Sequence, residues 1–104
     1  MKRENMASSK DYLEFIMEQL SGLEDVTYRA MMGEYVIYYH GVVVAGVYDD
    51  RFLVKNVEGV KELMPDAELA LPYKGGREMI LVDDVEDKEL LRKLFNNIYT
   101  YLKK

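Results

Sequence analysis

The sequence predicts a single α+β domain: a two-layer fold in which helices pack on one face of an antiparallel sheet. Its 104 residues are enough for one domain with its own hydrophobic core. Apolar residues follow helical spacing near both ends of the chain, whereas the middle holds adjacent runs of aromatic and β-branched residues. Adjacent strands flanked by helices favour this arrangement. We expect residues 1–8 to be a loose leader and residues 9–104 to form the domain.

The first helix is predicted from a start signal and a periodic apolar stripe. Ser8 and Asp11 fit a capping box, with Ser8 as the cap and Asp11 in the first turn. Gly22 is expected at the end of the helix, where a residue that tolerates positive φ is favoured. The apolar positions recur at three- and four-residue steps: Leu13, Ile16, Leu20 and Leu23.

The middle of the chain predicts a strand meander. Three strand-like runs are separated by two-residue turns: residues 35–39, 42–48 and 51–55. The shorter run Val26–Arg29 fits an edge strand or an extended lead-in to the meander.

The second half of the chain completes the order α-β-β-β-α-β(β)-α. Asn56 is a plausible cap for a short helix over Val57–Met64, which Pro65 would end. The proline-containing run Leu69–Tyr73 fits an edge strand or extended segment, and Met79–Val82 fits a buried strand. Asp83–Asp87 then precedes a long helix with the apolar positions Leu91, Leu94, Phe95, Ile98 and Leu102.

The composition excludes several classes of function. There is no cysteine, so disulfides, thiolate metal sites and cysteine nucleophiles are absent. The net charge of −5 argues against direct nucleic-acid binding, which depends on neutralising phosphates with lysine and arginine. No apolar run approaches the roughly 20 residues that span a bilayer. We therefore expect a cytoplasmic protein without membrane contact.

We predict no catalytic residue, no cofactor and no metal site. The one histidine, His40, falls in a predicted turn and cannot build a typical zinc site alone. Asp49-Asp50 suits a hairpin turn, and Asp83–Asp87 suits a helix start, where negative charge complements the helix dipole. The alternative hypothesis is a small-ligand binder or enzyme with a pocket near Arg29, Glu34 and His40.

The strand tyrosines are candidates for an interface. Side chains alternate between the two faces of a strand, so Tyr38 and Tyr39 are expected on opposite faces. Because helices cover one face, at least one strand tyrosine should remain partly exposed. Tyrosine is enriched at protein-binding hot spots, so a partner or a second copy of the chain could cover it.

The run from Arg29 to Gly41 resembles the signature of the TfoX N-terminal domain of the TfoX/Sxy family. The signature has an arginine, a Met-Phe-Gly or Met-Met-Gly step, an aromatic strand and a turn that ends in glycine. The resemblance covers about residues 9–102. The matching positions are our candidate motif or interaction residues: Arg29, Met31, Met32, Gly33, Tyr35, Tyr38, Tyr39 and Gly41.

The resemblance implies a fold like that of type III secretion chaperones and a role in bacterial competence and transcription regulation. Full-length members of the family act with the catabolite-activator protein and carry a second, C-terminal domain, whereas this sequence ends at Lys104. The resemblance therefore implies a non-catalytic interaction module whose partner is a protein such as a transcription factor. A homodimer is the second partner that we consider.

Overall fold

Six strands form one antiparallel sheet, and three helices accompany it. The computed structural model describes residues 9–103, so the predicted leader, Ser8 and Lys104 lie outside the described residues. The helices are α1 (Lys10–Gln19), α2 (Glu58–Leu63) and α3 (Lys88–Leu102). The strands are β1 (Val26–Met31), β2 (Glu34–Tyr39), β3 (Val42–Tyr48), β4 (Arg51–Val54), β5 (Leu69–Ala70) and β6 (Met79–Leu81).

The strand order across the sheet is β1-β2-β3-β4-β6-β5, and every neighbouring pair is antiparallel. The α+β class and the meander are confirmed, and the run that begins at Val26 is an edge strand of six residues. Within residues 9–103, no helix has the length and apolarity that crossing a membrane requires. The likeness to type III secretion chaperones stays a prediction.

Three two-residue turns connect the first four strands. The central residues of these turns all have positive φ: Met32 and Gly33, His40 and Gly41, and Asp49 and Asp50. Two consecutive residues with positive φ are the mark of a type I′ turn, whose twist matches that of the flanking strands. The turns therefore set the register at which each pair of neighbouring strands begins.

The main core lies between the sheet and the helices. Buried residues of α1, α2 and α3 belong to one apolar cluster together with alternate residues of the strands. A register shift between Ile37 and Tyr38 in the pairing of β2 with β3 lets the adjacent Val44 and Ala45 both join this cluster. The helices therefore cover one face of the sheet, which we call the helix face. The largest fully buried side chains of this cluster are Phe52, Phe95, Leu13, Ile16, Leu20, Ile37, Ile80, Leu91, Leu94 and Ile98.

Three predicted helix boundaries are wrong. The cap of α1 is Ser9, whose hydroxyl oxygen accepts a hydrogen bond from the Tyr12 amide at 3.0 Å. Helix α1 ends at the C-cap Leu20 with negative φ, so Gly22 is not needed there. Val57 caps α2 without a side-chain hydrogen bond, and the Asn56 Oδ1 is buried with no hydrogen-bond partner among the described residues.

A smaller apolar cluster lies on the opposite face of the sheet. Its buried members are Tyr48, Leu53 and Met79. Residues 71–76, which we call the covering segment, lie against this cluster. Pro72 is buried, and the ring centroids of Tyr73 and Tyr48 are 6.1 Å apart. The Arg51 Nη2 donates a hydrogen bond to the Leu71 carbonyl oxygen at 3.0 Å, which joins the segment to β4.

Gly46 leaves the space that the Tyr48 ring occupies. A Cβ built at position 46 would lie 2.4 Å from Cε2 of Tyr48. That distance is far below van der Waals contact, and the ring is confined because Tyr48 is 8% exposed. The glycine in the middle of a strand therefore marks a close approach.

We expect Gly46→Ala to lower the free energy of unfolding by about 1–3 kcal/mol, because overpacking a confined site forces the ring out of position. Urea denaturation followed by circular dichroism measures the change. Gly22→Ala is the matched control, since no atom lies within 4 Å of a Cβ at position 22. Equal effects of the two substitutions would contradict this account of Gly46.

Candidate interaction surface

Alternation along β2 places the motif tyrosines on different faces. Tyr35 and Tyr39 lie on the helix face and contribute to the main core, whereas Tyr38 lies on the opposite face and is half-buried. The prediction that Tyr38 and Tyr39 point to opposite sides, with one of them partly exposed, is confirmed. The structure thus separates tyrosines that build the core from one that faces outward.

Tyr39 is a structural residue. Its side chain is 6% exposed, and its hydroxyl donates a hydrogen bond to Asn96 Oδ1 on α3 at 2.9 Å. Its ring centroid lies 5.7 Å from those of Phe95 and Tyr99. These contacts fasten the end of β2 to the long helix.

His40 is a turn residue at the surface, as predicted, but its ring is packed. The His40 ring centroid lies 4.2 Å from that of Tyr39 and 5.2 Å from that of Tyr99. Its Nδ1 lies 3.4 Å from Oδ2 of Asp25, and its amide donates to the Asp25 carbonyl. Gly41 completes the turn with a φ of 79°. Both residues close the β2–β3 hairpin.

The β1–β2 turn has an unusual composition for its conformation. Met32 has a φ of 52° and is 98% exposed, and Gly33 has a φ of 86°. The left-handed conformation costs a residue with a Cβ roughly 1–2 kcal/mol, and asparagine, aspartate or glycine is the usual choice. A strained backbone and a fully exposed apolar side chain at the same position point to a role outside folding.

Two neighbours extend this exposed region along β1. Met31 is 51% exposed, and Arg29 is exposed on the same face, the one opposite the helices. Arg29 makes no salt bridge within residues 9–103. We call Arg29, Met31 and Met32 the tip surface. It combines two flexible, polarisable thioethers with one cation, which suits an apolar groove rimmed by carboxylates.

The structure does not assemble the pocket proposed in the alternative hypothesis. Glu34 and His40 lie at opposite ends of β2, and Arg29 is on the face away from the His40 cluster. The Glu34 Oε1 instead accepts a hydrogen bond from the Asp49 amide at 3.0 Å, joining two turns at one end of the sheet. The length of β2, six residues, therefore separates Glu34 from His40.

Two clefts on the described part of the chain lie elsewhere. One lies between α1 and α3, lined by Gln19, Gly22, Leu23, Lys88, Glu89 and Arg92. The other lies beside α2, lined by Met64, Pro65, Asp66, Ala67, Leu81, Asp83, Asp84 and Leu90. No group of three histidine, aspartate or glutamate side chains within residues 9–103 is arranged to hold a metal ion.

Comparison with known protein families shows which family this chain belongs to. The model of the TfoX N-terminal domain matches residues 18–98, which include all six strands and most of α3. The chain belongs to the TfoX N-terminal domain family. An uncharacterized 12.7 kDa protein in the trpE 5′ region of Spirochaeta aurantia is 30% identical over 83 residues. The match covers 80% of this chain and 72% of that protein.

In this TfoX N-terminal domain the signature residues divide into two groups. Tyr35, Tyr39 and Gly41 serve the helix-face core and the second turn. The outward group consists of Arg29, Met31, Met32 and Tyr38, with Gly33 supplying the turn that presents them. A binding role for the outward group stays a prediction.

The covering segment is a feature that the sequence did not reveal. Tyr48, at the end of β3, is buried on the face away from the helices, where the Tyr73 ring of this segment lies against it. Burial raises the pKa of the Tyr48 hydroxyl, and the nearby Tyr73 and Glu34 raise it further. The signals were Gly46 within a strand and a proline just after β5, but neither indicates which residues cover the face.

The raised pKa of Tyr48 predicts a loss of stability in alkali. In the unfolded chain the hydroxyl ionises near its ordinary pKa of 10.0, before the folded chain releases its proton. The stabilisation is therefore complete below about pH 10 and is lost as the pH rises through the folded-state pKa. We expect Tyr48→Phe to lose less free energy of unfolding than the wild type between about pH 9 and about pH 11.

Urea denaturation at each pH measures this difference. Tyr28→Phe removes the hydroxyl of a different, exposed tyrosine and is the matched control. Tyr12, whose pKa is also raised by burial and by Asp50, is unchanged in all three proteins. Parallel losses for Tyr48→Phe and the wild type would contradict the prediction.

Proposed function

We propose that this TfoX N-terminal domain is a non-catalytic protein-interaction module of the regulatory, competence type, and that the tip surface binds its partner. The observation that carries the proposal is Met32, an apolar side chain that is 98% exposed on a left-handed backbone. Family membership supports a regulatory role. The absence of cysteine and the presence of one histidine in the sequence support a role without catalysis.

The chemistry of the tip surface indicates the kind of partner. Methionine side chains adapt to irregular apolar grooves, and the Arg29 guanidinium can form bidentate hydrogen bonds with a carboxylate. We therefore propose a folded protein, such as a transcription factor, with an apolar groove and an acidic residue beside it. The net charge of −5 does not favour nucleic acid as the partner.

We also propose that the protein works in the cytoplasm. The support is the composition: a chain without cysteine is compatible with a reducing compartment. A regulatory partner such as a transcription factor is found in the same compartment.

The substitution Met32→Asn distinguishes the effect of Met32 on partner binding from its effect on folding stability. Asparagine tolerates the left-handed conformation, and Asn-Gly is a preferred pair for a type I′ turn. We expect the substitution to raise the free energy of unfolding by about 1 kcal/mol and to weaken partner binding about tenfold or more. Urea denaturation measures the first effect.

Affinity capture from lysate of the native host, with quantitative mass spectrometry, measures the second effect. The matched control is Leu69→Thr, which changes another exposed apolar residue at the opposite edge of the sheet. A partner should be retained by the wild type and by Leu69→Thr and depleted with Met32→Asn. Equal retention by all three proteins, or a loss of stability in Met32→Asn, would refute the role of Met32.

A further inference from the structure

The two edge strands of the sheet, β1 and β5, differ in how well they are protected against pairing with a strand of another chain. The β5 edge is two residues long and is followed by Pro72, which cannot donate a backbone hydrogen bond. The β1 edge is six residues long, contains no proline and pairs with β2 in an unbroken register. Sheet proteins usually blunt a long regular edge because its backbone groups are ready to pair with another strand. Within residues 9–103 no strand pairs with the outer side of β1, so this edge is suited to pairing with a strand of another chain.

The hydrogen-bonding pattern shows which residues of β1 face outward. The His40 amide donates to the Asp25 carbonyl, so this pair is a hydrogen-bonded one. Hydrogen-bonded pairs alternate along an antiparallel ladder, so Thr27, Arg29 and Met31 bond to β2. The backbone N–H and C=O groups of the even residues, Val26, Tyr28 and Ala30, point away from the sheet.

We propose that a second copy of this chain occupies the edge, with the two β1 strands paired antiparallel about a two-fold axis at Tyr28. This inference rests on the proposal that the chain acts through protein contacts, and it uses a surface other than Met32. The register pairs Tyr28 with Tyr28 of the second copy, and Val26 with Ala30 of the second copy in both directions. All three outward-facing residues thus find hydrogen-bonded partners, each pair exchanging two bonds.

Side chains also favour this register. Tyr28 is 43% exposed on the helix face, and its ring lies edge-on to Tyr35 with the centroids 5.9 Å apart. Across the axis, the two Tyr28 residues would have their Cα atoms about 5.5 Å apart, so the Tyr28–Tyr35 pairs of both copies form one aromatic row. The high exposure of Ala30 shows that the helix layer does not extend over β1 to obstruct a neighbour.

Charge distinguishes this register from the nearest alternative. With the axis at Tyr28, Arg29 lies opposite Thr27 of the second copy, a neutral residue. An axis at Arg29 would place the two Arg29 side chains directly opposite one another, which is destabilising. Of these two registers, the one with its axis at Tyr28 avoids like charges at the centre.

Sedimentation velocity of the full chain, at loading concentrations from about 1 to about 200 µM, tests the proposal. The wild type is expected to sediment as a dimer at the upper concentrations. Ala30→Pro removes one outward donor without disturbing the bonds to β2, and is expected to remain a monomer throughout. Far-UV circular dichroism verifies that this variant is folded. Met32→Asn should dimerise like the wild type, which separates this proposal from partner binding at the tip surface.

Charge changes at exposed positions test the register without any risk to the backbone. Thr27→Lys places an ammonium group opposite Arg29 of the second copy on both sides of the axis, and these like charges should weaken dimerisation about three- to tenfold. The double variant Thr27→Lys with Arg29→Glu turns both pairs into opposite charges and should restore or exceed wild-type affinity. Thr27→Glu alone should strengthen it.

Three results would overturn the proposal. A wild type that is monomeric at every concentration would leave the edge to a strand of another protein. A dimer that persists in Ala30→Pro would form through a different surface. A dimer whose affinity is unchanged by Thr27→Lys would not have this register. Nor would a dimer whose affinity is not restored in the double variant Thr27→Lys with Arg29→Glu.

Discussion

Six residues in the left-handed backbone conformation hold the first four strands in register. Each of the three turns contains two of them, and only the β2–β3 pair contains an extra residue, Val44, at its register shift. A shift by one residue in any hairpin would move every side chain of a strand to the other face of the sheet. The burial of Ile37, Val47 and Phe52 against the helices therefore depends on these short turns.

The turns also determine which side chains lie on each face of the sheet. Strand alternation sends one set of side chains into the core with α1 and α3, and the other set to a face that no helix covers. On that second face the covering segment buries Tyr48 beside β4, β5 and β6. Toward β1 the same face carries the tip surface and the half-buried Tyr38. Because of this asymmetry, the surface that a partner could contact lies at the β1–β2 turn and along the β1 edge of the sheet.

The binding role that we propose for Met32 would oppose stability. A turn optimised for folding would contain asparagine or aspartate before Gly33, as the Asp49-Asp50 turn contains aspartates. Proteins tolerate such a local cost when the rest of the fold determines the conformation, and here the β1–β2 ladder does so. The neighbouring β1 edge adds a second surface of a different type, based on backbone groups rather than exposed thioethers. The two surfaces are adjacent, so a dimer through β1 would present two copies of the tip surface.

The sequence by itself determined the three helices, the three-strand meander and their order, but left Val26–Arg29 and Leu69–Tyr73 open between a strand and an extended segment. Two-residue turns between β-rich runs specify a meander, and helical spacing of Leu13, Ile16 and Leu20, or of Leu91 and Leu94, specifies the helices, because both signals are local. The helix caps differ from the predicted ones because the backbone decides where a helix begins: α1 is capped by Ser9, next to the predicted Ser8, and α2 by Val57, next to Asn56. The signature residues were found in the sequence as one motif, and the tertiary structure divided them, because alternation sends Tyr39 to the core and Arg29 to the surface. Only the tertiary structure decided that residues 71–76 cover Tyr48, that Glu34 and His40 are held apart, and that β1 is an open edge. Each of these depends on contacts between distant segments, which no local pattern of residues records.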